Sequence, residues 1–587
     1  MSTVSQDSFW SGQDKVPISQ KSVSIPSQNG LEYSGGQRVI IEVPPTIEYI
    51  QPRESYLQFE VKLKLPAAVT TAGLNQTYLQ LDETLGAQVL LKDVRIYSGG
   101  AGRILLEEIV DYNVITGVKY SYETNDVIRA KRALTEGATF HSVKCRGTNG
   151  TTESHKNDVS DNKYFKNKFA DTANLTDDAY QSVKVCLPLN TGLFSSNKVL
   201  PTLLTEGLVI DIQLEDANRV YRQLDTSREL TKFKSKPVFH SVNGAIDGTA
   251  DNLPTAADTL AFYVTNDNNI LDGDQLPFCV GENIGLALLA TGAEVALDNP
   301  FVIAGIEKDA ANGLVKITFT GTGGSPGVAV LPGSVILHSL SVKGNVNYDQ
   351  CSYTISNVQM MVQQLQMPQG YTQKMMSMMK EGGSMNYDFL SFSNFKSSQL
   401  AGDVVSNIRL PLNMTRAKAI LAVPTDASVY SGSQRISGNG TYLVYQEGAT
   451  QDTADKQEFS DKSGLVGISD YISDYQFFYD GKLNPSRRVD CTKTSSQYSI
   501  SQQPLIELEK ALSMSNITPF SFRDFNNNFV IGRALSLHNG VYNTVGRDFN
   551  LQVNYEGTAP TKNKLWMSFI SHIRRIEFKG SGISLQL

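Results

Sequence analysis

The sequence predicts an all-β protein built from two tandem β domains, and three observations predict it. The stretch "YIQPRESYLQFEVKLKL" (residues 49–65) alternates strictly after its prolines. Leu57, Phe59, Val61, Leu63 and Leu65 take one face, and Gln58, Glu60, Lys62 and Lys64 the other. A period of two marks a strand with one buried and one wet side. The composition agrees, because 46 glycines with many Asn, Ser and Thr suit a chain of strands and turns. Finally, two strand-rich blocks flank a short methionine-rich segment with helical character. Hydrophobic content of 40% against 19% charged residues supplies ample core material for such domains.

Taken in order, residues 1–35 are Ser/Gln-rich and read as a flexible arm, with Trp10 as a docking point within it. Strands follow at Arg38–Val43 ("RVIIEV") and Tyr49–Leu65, and "VLLKDVRIYSGGAGRILLEEI" (89–109) reads as two strands joined by a Gly-rich hairpin. Val183, Val185, Leu187 and Leu189 alternate in "SVKVCLPL", and Leu208, Ile210, Ile212 and Leu214 do so in "GLVIDIQLED". Helices are expected over Asp126–Glu136, capped by Asn125, and over Ile506–Met514, after Pro504 in a first turn. Residues 237–307 hold ten acidic residues and no Lys or Arg, which leaves the rest of a −7 chain at +3. One sign of charge in a Gly- and Asn-rich stretch reads as a solvent-facing insertion, with "TLAFYVT" as a strand-like piece within it and "GLVKITFTG" just beyond it. Eight of the twelve methionines fall within residues 360–385, where "QGYTQKMMSMMKEGG" reads as a helix stopped by Gly382 and Gly383. Beyond it strands resume up to "KLWMSFISHIRRIEF" near the C-terminus.

No catalytic, cofactor-binding or metal site is expected. The six histidines (141, 155, 240, 338, 538, 572) never come within ten residues of one another, so HxH and HExxH spacings are absent. The five cysteines form no CxxC pair, and no apolar leader or eighteen-residue apolar run occurs, so synthesis in a reducing compartment is expected. "YSGGAGR" (97–103) lacks the GK[ST] ending of a phosphate loop and reads as a plain hairpin, and no GxSxG elbow occurs. "NDNNILDGD" (266–274) fails the EF-hand pattern at Ile270. Glu107 and Glu108, adjacent on a strand, face opposite ways and read as a solvated edge. The basic clusters "IRAKRAL" and "SHIRRIEFKG" lack aromatics for stacking bases, and they read as a helix face and a strand-end rim. Sequence-specific nucleic-acid binding is therefore not expected.

Several segments carry a resemblance. "PTIEYIQPRESYLQFEVKL", "LLKDVRIYSGGAGRILLEEIVDYNVI", "LPLNTGLFSSNKVLPTLLTEGLVIDIQLED" and "YTISNVQMMVQQLQMPQGY" resemble successive pieces of the first jelly roll of double jelly-roll major capsid proteins. These belong to eukaryotic DNA viruses of the virophage, polinton-like and nucleocytoplasmic large DNA virus groups. "FYDGKLNPSRRVD", "LHNGVYNTVGRDFNLQVNYEG" and the last strand resemble the second. The resemblance implies two eight-stranded jelly rolls, over 36–368 (with 237–345 as an outer-surface tower) and 384–587, joined by a linker helix at 369–383. It implies a non-enzymatic homotrimeric capsomer in an icosahedral virion shell, assembled inside the infected cell. Its expected partners are neighbouring capsomers, penton and minor or cement capsid proteins, with the arm facing minor proteins, genome or an internal membrane. The competing readings are a jelly-roll fibre, penton or carbohydrate-binding protein, and a β-sandwich carbohydrate enzyme, which would need a carboxylate pair in a cleft.

Overall fold

A computed structural model describes residues 17–64, 79–82, 85–137, 182–223, 352–430, 465, 467, 472–491, 502–520, 528–535, 540–555, 560, 562–580 and 582–586, and elsewhere isolated backbone strands. Trp10, Leu65 and the 266–274 segment lie outside the described residues, as do His141, His155 and His538.

Eight strands build the first sandwich: β1 (Ser19–Pro26), β2 (Arg38–Val43), β3 (Tyr56–Lys64), β4 (Leu91–Ser98), β5 (Leu105–Ile109), β6 (Ser182–Pro188), β7 (Leu208–Leu214) and β8 (Ser352–Gln366). They form two antiparallel sheets of order β1-β8-β3-β6 and β2-β7-β4-β5. Another eight build the second: β9 (Ser384–Gln399), β10 (Val405–Leu410), β11 (Ala417–Asp426), β12 (Ile472–Tyr479), β13 (Lys482–Asp490), β14 (Ile531–Ala534), β15 (Phe549–Tyr555) and β16 (Lys564–Lys579). Their orders are β9-β16-β11-β14 and β10-β15-β12-β13. Adding eight to every label of the first sandwich reproduces the second. Each half pairs its first strand with its last and wraps in two Greek keys, which is a jelly roll. The fold is a double jelly roll.

Alternation positions the cores. Register sets Leu57, Phe59 and Val61 of β3 opposite Leu187, Val185 and Val183 of β6. The three β3 side chains, Val185 and Leu187 are buried with Ile41, Ile96 and Ile210 from the facing sheet. Each such side chain contributes roughly 1.5–3 kcal/mol through its removal from water. β11, "AKAILAVPTD", does not alternate, because both of its faces are covered. Helix α4 (Gln502–Met514) packs against the outer face of its sheet. The approach is so close that a Cβ on Gly532 of β14 would stand 2.6 Å from the Leu508 Cα.

In the described part of the connection between β5 and β6 lie two helices, α1 (Tyr112–Glu123) and α2 (Asp126–Thr135). Asn125 caps α2 by accepting from the Ile128 N–H at 2.9 Å, as its sequence suggests. α1 was not foreseen. α4 starts at Gln502, four residues before the expected Ile506, because Pro504 is accommodated within its first turn. Helix α3 (Gln369–Lys380) links the sandwiches and buries Tyr371, Met375 and Met379. It ends in a Schellman turn, with Gly383 N–H donating to Met378 O and Gly382 N–H to Met379 O, and with Gly382 at φ +83.

The expected arm needs one correction. Residues 19–26 are the edge strand β1, paired along β8, and Glu32–Ser34 also pairs with β8. Neighbouring hydroxyls and amides hold this polar edge, as in Ser19 Oγ to Gln366 Oε1 at 2.8 Å and Ser24 Oγ to Gln359 Oε1 at 2.7 Å. Further upstream, Thr3–Ser5 lies parallel to Ser384–Asn386 of β9.

Between β7 and β8, residues 238–339 contribute eight strands that form a separate antiparallel sheet. Ala261–Thr265 and Leu314–Thr320, within the two segments expected as strands, pair with each other at its centre.

Candidate functional site at the seam of the two sandwiches

A buried polar cluster lies where the two jelly rolls meet, and the first sandwich supplies its acids Glu107 and Asp111. Glu107 of β5 is fully buried. Its Oε1 accepts from Gly192 N–H at 2.8 Å and from Ser391 Oγ at 2.6 Å, and its Oε2 accepts from Leu193 N–H at 2.9 Å. Ser391 belongs to β9, across the seam. Burial pushes the Glu107 carboxyl up, against the three donors and the nearby Arg574. Arg574 of β16 reaches back and donates to Leu105 O at 2.9 Å. The two elements touch closely here, since a Cβ on Gly192 would stand 1.8 Å from Leu390 O.

Four residues on, Asp111 precedes α1 in the left-handed region at φ +51, and it makes no side-chain cap to its own helix. Its fully buried carboxylate crosses the seam instead. It accepts from Lys396 Nζ at 2.8 Å, Tyr430 OH at 2.6 Å and Asn394 Nδ2. The Tyr430 ring lies under the Arg219 guanidinium at 4.0 Å, and Arg219 pairs with the buried Glu215 at 3.0 Å.

Two further groups extend the joint. Tyr387 OH donates to Lys198 O at 3.0 Å, and Lys198 Nζ donates to Asp388 O at 3.3 Å. At the end of α1, Tyr122 OH donates to Asn528 O at 2.8 Å, while Phe520 N–H donates to Tyr122 O at 2.8 Å. Behind the seam Asp388 binds Arg575 through two hydrogen bonds, at 2.7 and 2.8 Å, and Arg416 at 3.2 Å. Burial would raise its carboxyl, but these guanidiniums hold it at about 2.

Several residues fall elsewhere than their sequence suggests. Glu107 is not on a solvated edge; only Glu108 faces out, pairing with Arg95 at 2.7 Å. The two do point opposite ways. "SHIRRIEFKG" is not merely a rim, because Arg574 is turned into the first sandwich and Arg575 onto Asp388. In "IRAKRAL", Arg132 stacks on the Tyr120 ring at 3.3 Å beside buried Glu136. "YSGGAGR" is a hairpin whose Gly99 N–H donates to Thr205 O and Gly207 O.

The chemistry available is adhesive. Ser393 Oγ meets His572 Nε2 at 3.0 Å, a nucleophile–base spacing. However, His572 is fully buried, and burial with Arg574 nearby lowers it to about 4. It is a neutral core histidine. A shallow pocket of about 170 Å³ on the wet face of the first sandwich is lined by Gln58, Phe59, Glu60, Lys184, Asn357 and Gln359. Among the described residues no three His, Cys, Asp or Glu gather as metal ligands, and no helix is long and apolar enough to cross a membrane.

Comparison with protein-family models and with curated proteins returns no match. Solved structures do match. The chain is similar over its length to viral capsid proteins. PBCV-1 VP54, as fitted into a reconstruction of the virophage Sputnik, aligns at 10% identity over 97% of this chain and 96% of that one, with a TM-score of 0.44. The Faustovirus major capsid protein aligns at 9% identity over 95% and 90%, with a TM-score of 0.44. The mavirus major capsid protein aligns at 10% identity over 100% and 95%, with a TM-score of 0.33.

Proposed function

We propose that this chain is a major capsid protein: three copies form a pseudo-hexagonal capsomer, and capsomers tile an icosahedral virion shell. The observation that carries the reading is two complete jelly rolls of identical strand order, locked side by side within one chain. Three such chains present six similar sandwiches around one axis, which satisfies a hexagonal lattice with threefold symmetry. The buried polar chemistry at the seam serves adhesion, in keeping with a structural and non-enzymatic role. The acid-only segment 237–307 suits the outer face, where ten carboxylates avoid a packaged polyanion and discourage particle aggregation. The first sixteen residues suit the inner face, in contact with minor proteins, genome or an internal membrane.

Light scattering behind size exclusion gives the first test. A trimer of 64.4 kDa chains supports the reading, with subunit interfaces above roughly 2,000 Å² as permanent assemblies require. A stable monomer that binds glycans would replace it with the carbohydrate-binding alternative. Limited proteolysis of intact particles should cut first within 237–307, and protection of that segment until the shell is opened would put it on the wrong face.

A further inference from the structure

We infer that the joint between the sandwiches is a charge-bearing latch in which Glu107 and Asp111 act as positioning residues, and that this latch holds the halves together without the covalent linker. The inference concerns one chain and stands whether or not that chain trimerises.

Four observations carry it. First, both carboxylates have no exposed surface, and each accepts hydrogen bonds from the second sandwich: Ser391 to Glu107, and Asn394, Lys396 and Tyr430 to Asp111. A buried carboxylate without such partners is severely destabilising, so their arrangement specifies one docking geometry. Second, Asp111 forgoes the ordinary task of an Asp before a helix. Asn125 caps α2, whereas Asp111 leaves α1 without a side-chain cap and adopts φ +51 while its carboxylate spans the seam. Backbone strain at a non-glycine residue persists where surrounding structure over-determines it. Third, the charges are divided by origin, with Glu107 and Asp111 on the first sandwich and Arg574 and Lys396 on the second. Each of the two seam carboxylates therefore faces a cation of the opposite half. Fourth, Gly192 lets the backbone of one half touch Leu390 O of the other, a fit that tolerates no slippage.

The test cuts the full-length protein in place. A protease site is inserted between Glu381 and Gly382, both exposed at the end of α3. After cleavage the wild-type halves should co-elute and separate only at high salt or in denaturant. Asp111→Asn, nearly isosteric, should weaken association of the cut halves by on the order of a hundredfold, as truncated buried charge pairs do at interfaces. Glu107→Gln should act similarly. Lys396→Met approaches the same contact from the other side. The double variant Asp111→Asn/Lys396→Met should lose less than the two single effects combined. A merely structural role would not produce that coupling. Far-ultraviolet circular dichroism of each separated half keeps misfolding distinguishable from release. Arg409→Ala, in an exposed ion pair with Asp548, should leave association unchanged. The inference fails if cut wild type falls apart in low salt, or if cut Asp111→Asn holds as tightly as wild type.

Discussion

Replacing single methionines of α3 separates its packed face from its wet face. Tyr371, Met375 and Met379 recur every four residues and are buried, while Met376, one position round, is 39% exposed. Met375 is fully buried, with its sulfur 4.0 Å from Tyr49 OH, and the Tyr49 ring meets Tyr371 edge-on at 5.9 Å. Met375→Ala removes three heavy atoms from that site, which costs about 3 kcal/mol including the cavity. Met375→Asp adds an uncompensated carboxyl, so its cost exceeds roughly 5 kcal/mol, enough to undo the helix docking. Met376→Asp pays only for helix propensity and surface contacts, about 0.5 kcal/mol. Amide exchange over residues 369–380, followed by mass spectrometry, reads the opening of this helix directly. Met375→Ala should speed exchange about a hundredfold and Met376→Asp by less than about threefold. Equal effects at both positions, or unchanged protection in Met375→Ala, would refute the assignment of faces.

Three further outcomes follow from the same structure. Burial pushes the Glu136 carboxyl up to about 7, against Arg132 and the Tyr120 hydroxyl at 3.0 Å. The fold thus favours its protonated form, and that contribution is full below about pH 4.3 and lost as pH rises through 7. Glu136→Gln should flatten the fall in melting temperature between pH 5 and pH 8, and parallel profiles would count against it. Asp388 works in the opposite sense: held at about 2 by Arg575 and Arg416, it stabilises above about pH 3.9 and ceases to as pH falls through 2. Asp388→Asn should cost about 1–2 kcal/mol at pH 7 in urea titrations, with the deficit vanishing near pH 2. Gly192→Ala places a methyl 1.8 Å from Leu390 O, so it should open the seam and expose the linker to protease, with both cores intact. An unchanged digestion pattern would show that the contact yields easily.

The strands with one wet face were legible because period two survives in β2, β3 and β6. The cap at Asn125 and the stop at Gly382 were legible because each is a local device whose partner lies within a few residues. β1 was not, since "SQKSVSIP" offers only Val23 and Ile25 as apolar residues and is held through β8, more than 300 residues along the chain. Helix α1 was hidden by the opposite circumstance: "YNVITGVKYSYE" is buried nearly all round, so it shows no polar stripe. The seam left no sequence signal. Glu107 looks like half of a surface pair and Asp111 gives no cue, because Ser391 and Lys396 lie 284 and 285 residues away. Only the stacking of one jelly roll on the other brings those groups together.

The eight-stranded sheet between β7 and β8 has its own consequence. Its described strands hydrogen-bond only to one another, and it is inserted between β7 and β8, which lie in different sheets of the first sandwich. Its ladders share no strand with those of the sandwich. Drift, insertion or wholesale replacement in the cassette leaves the β1-β8-β3-β6 register untouched. The cassette also marks Gln223, the end of a strand paired with Leu79–Leu81, and Ser352 as the junctions through which a foreign domain can be grafted.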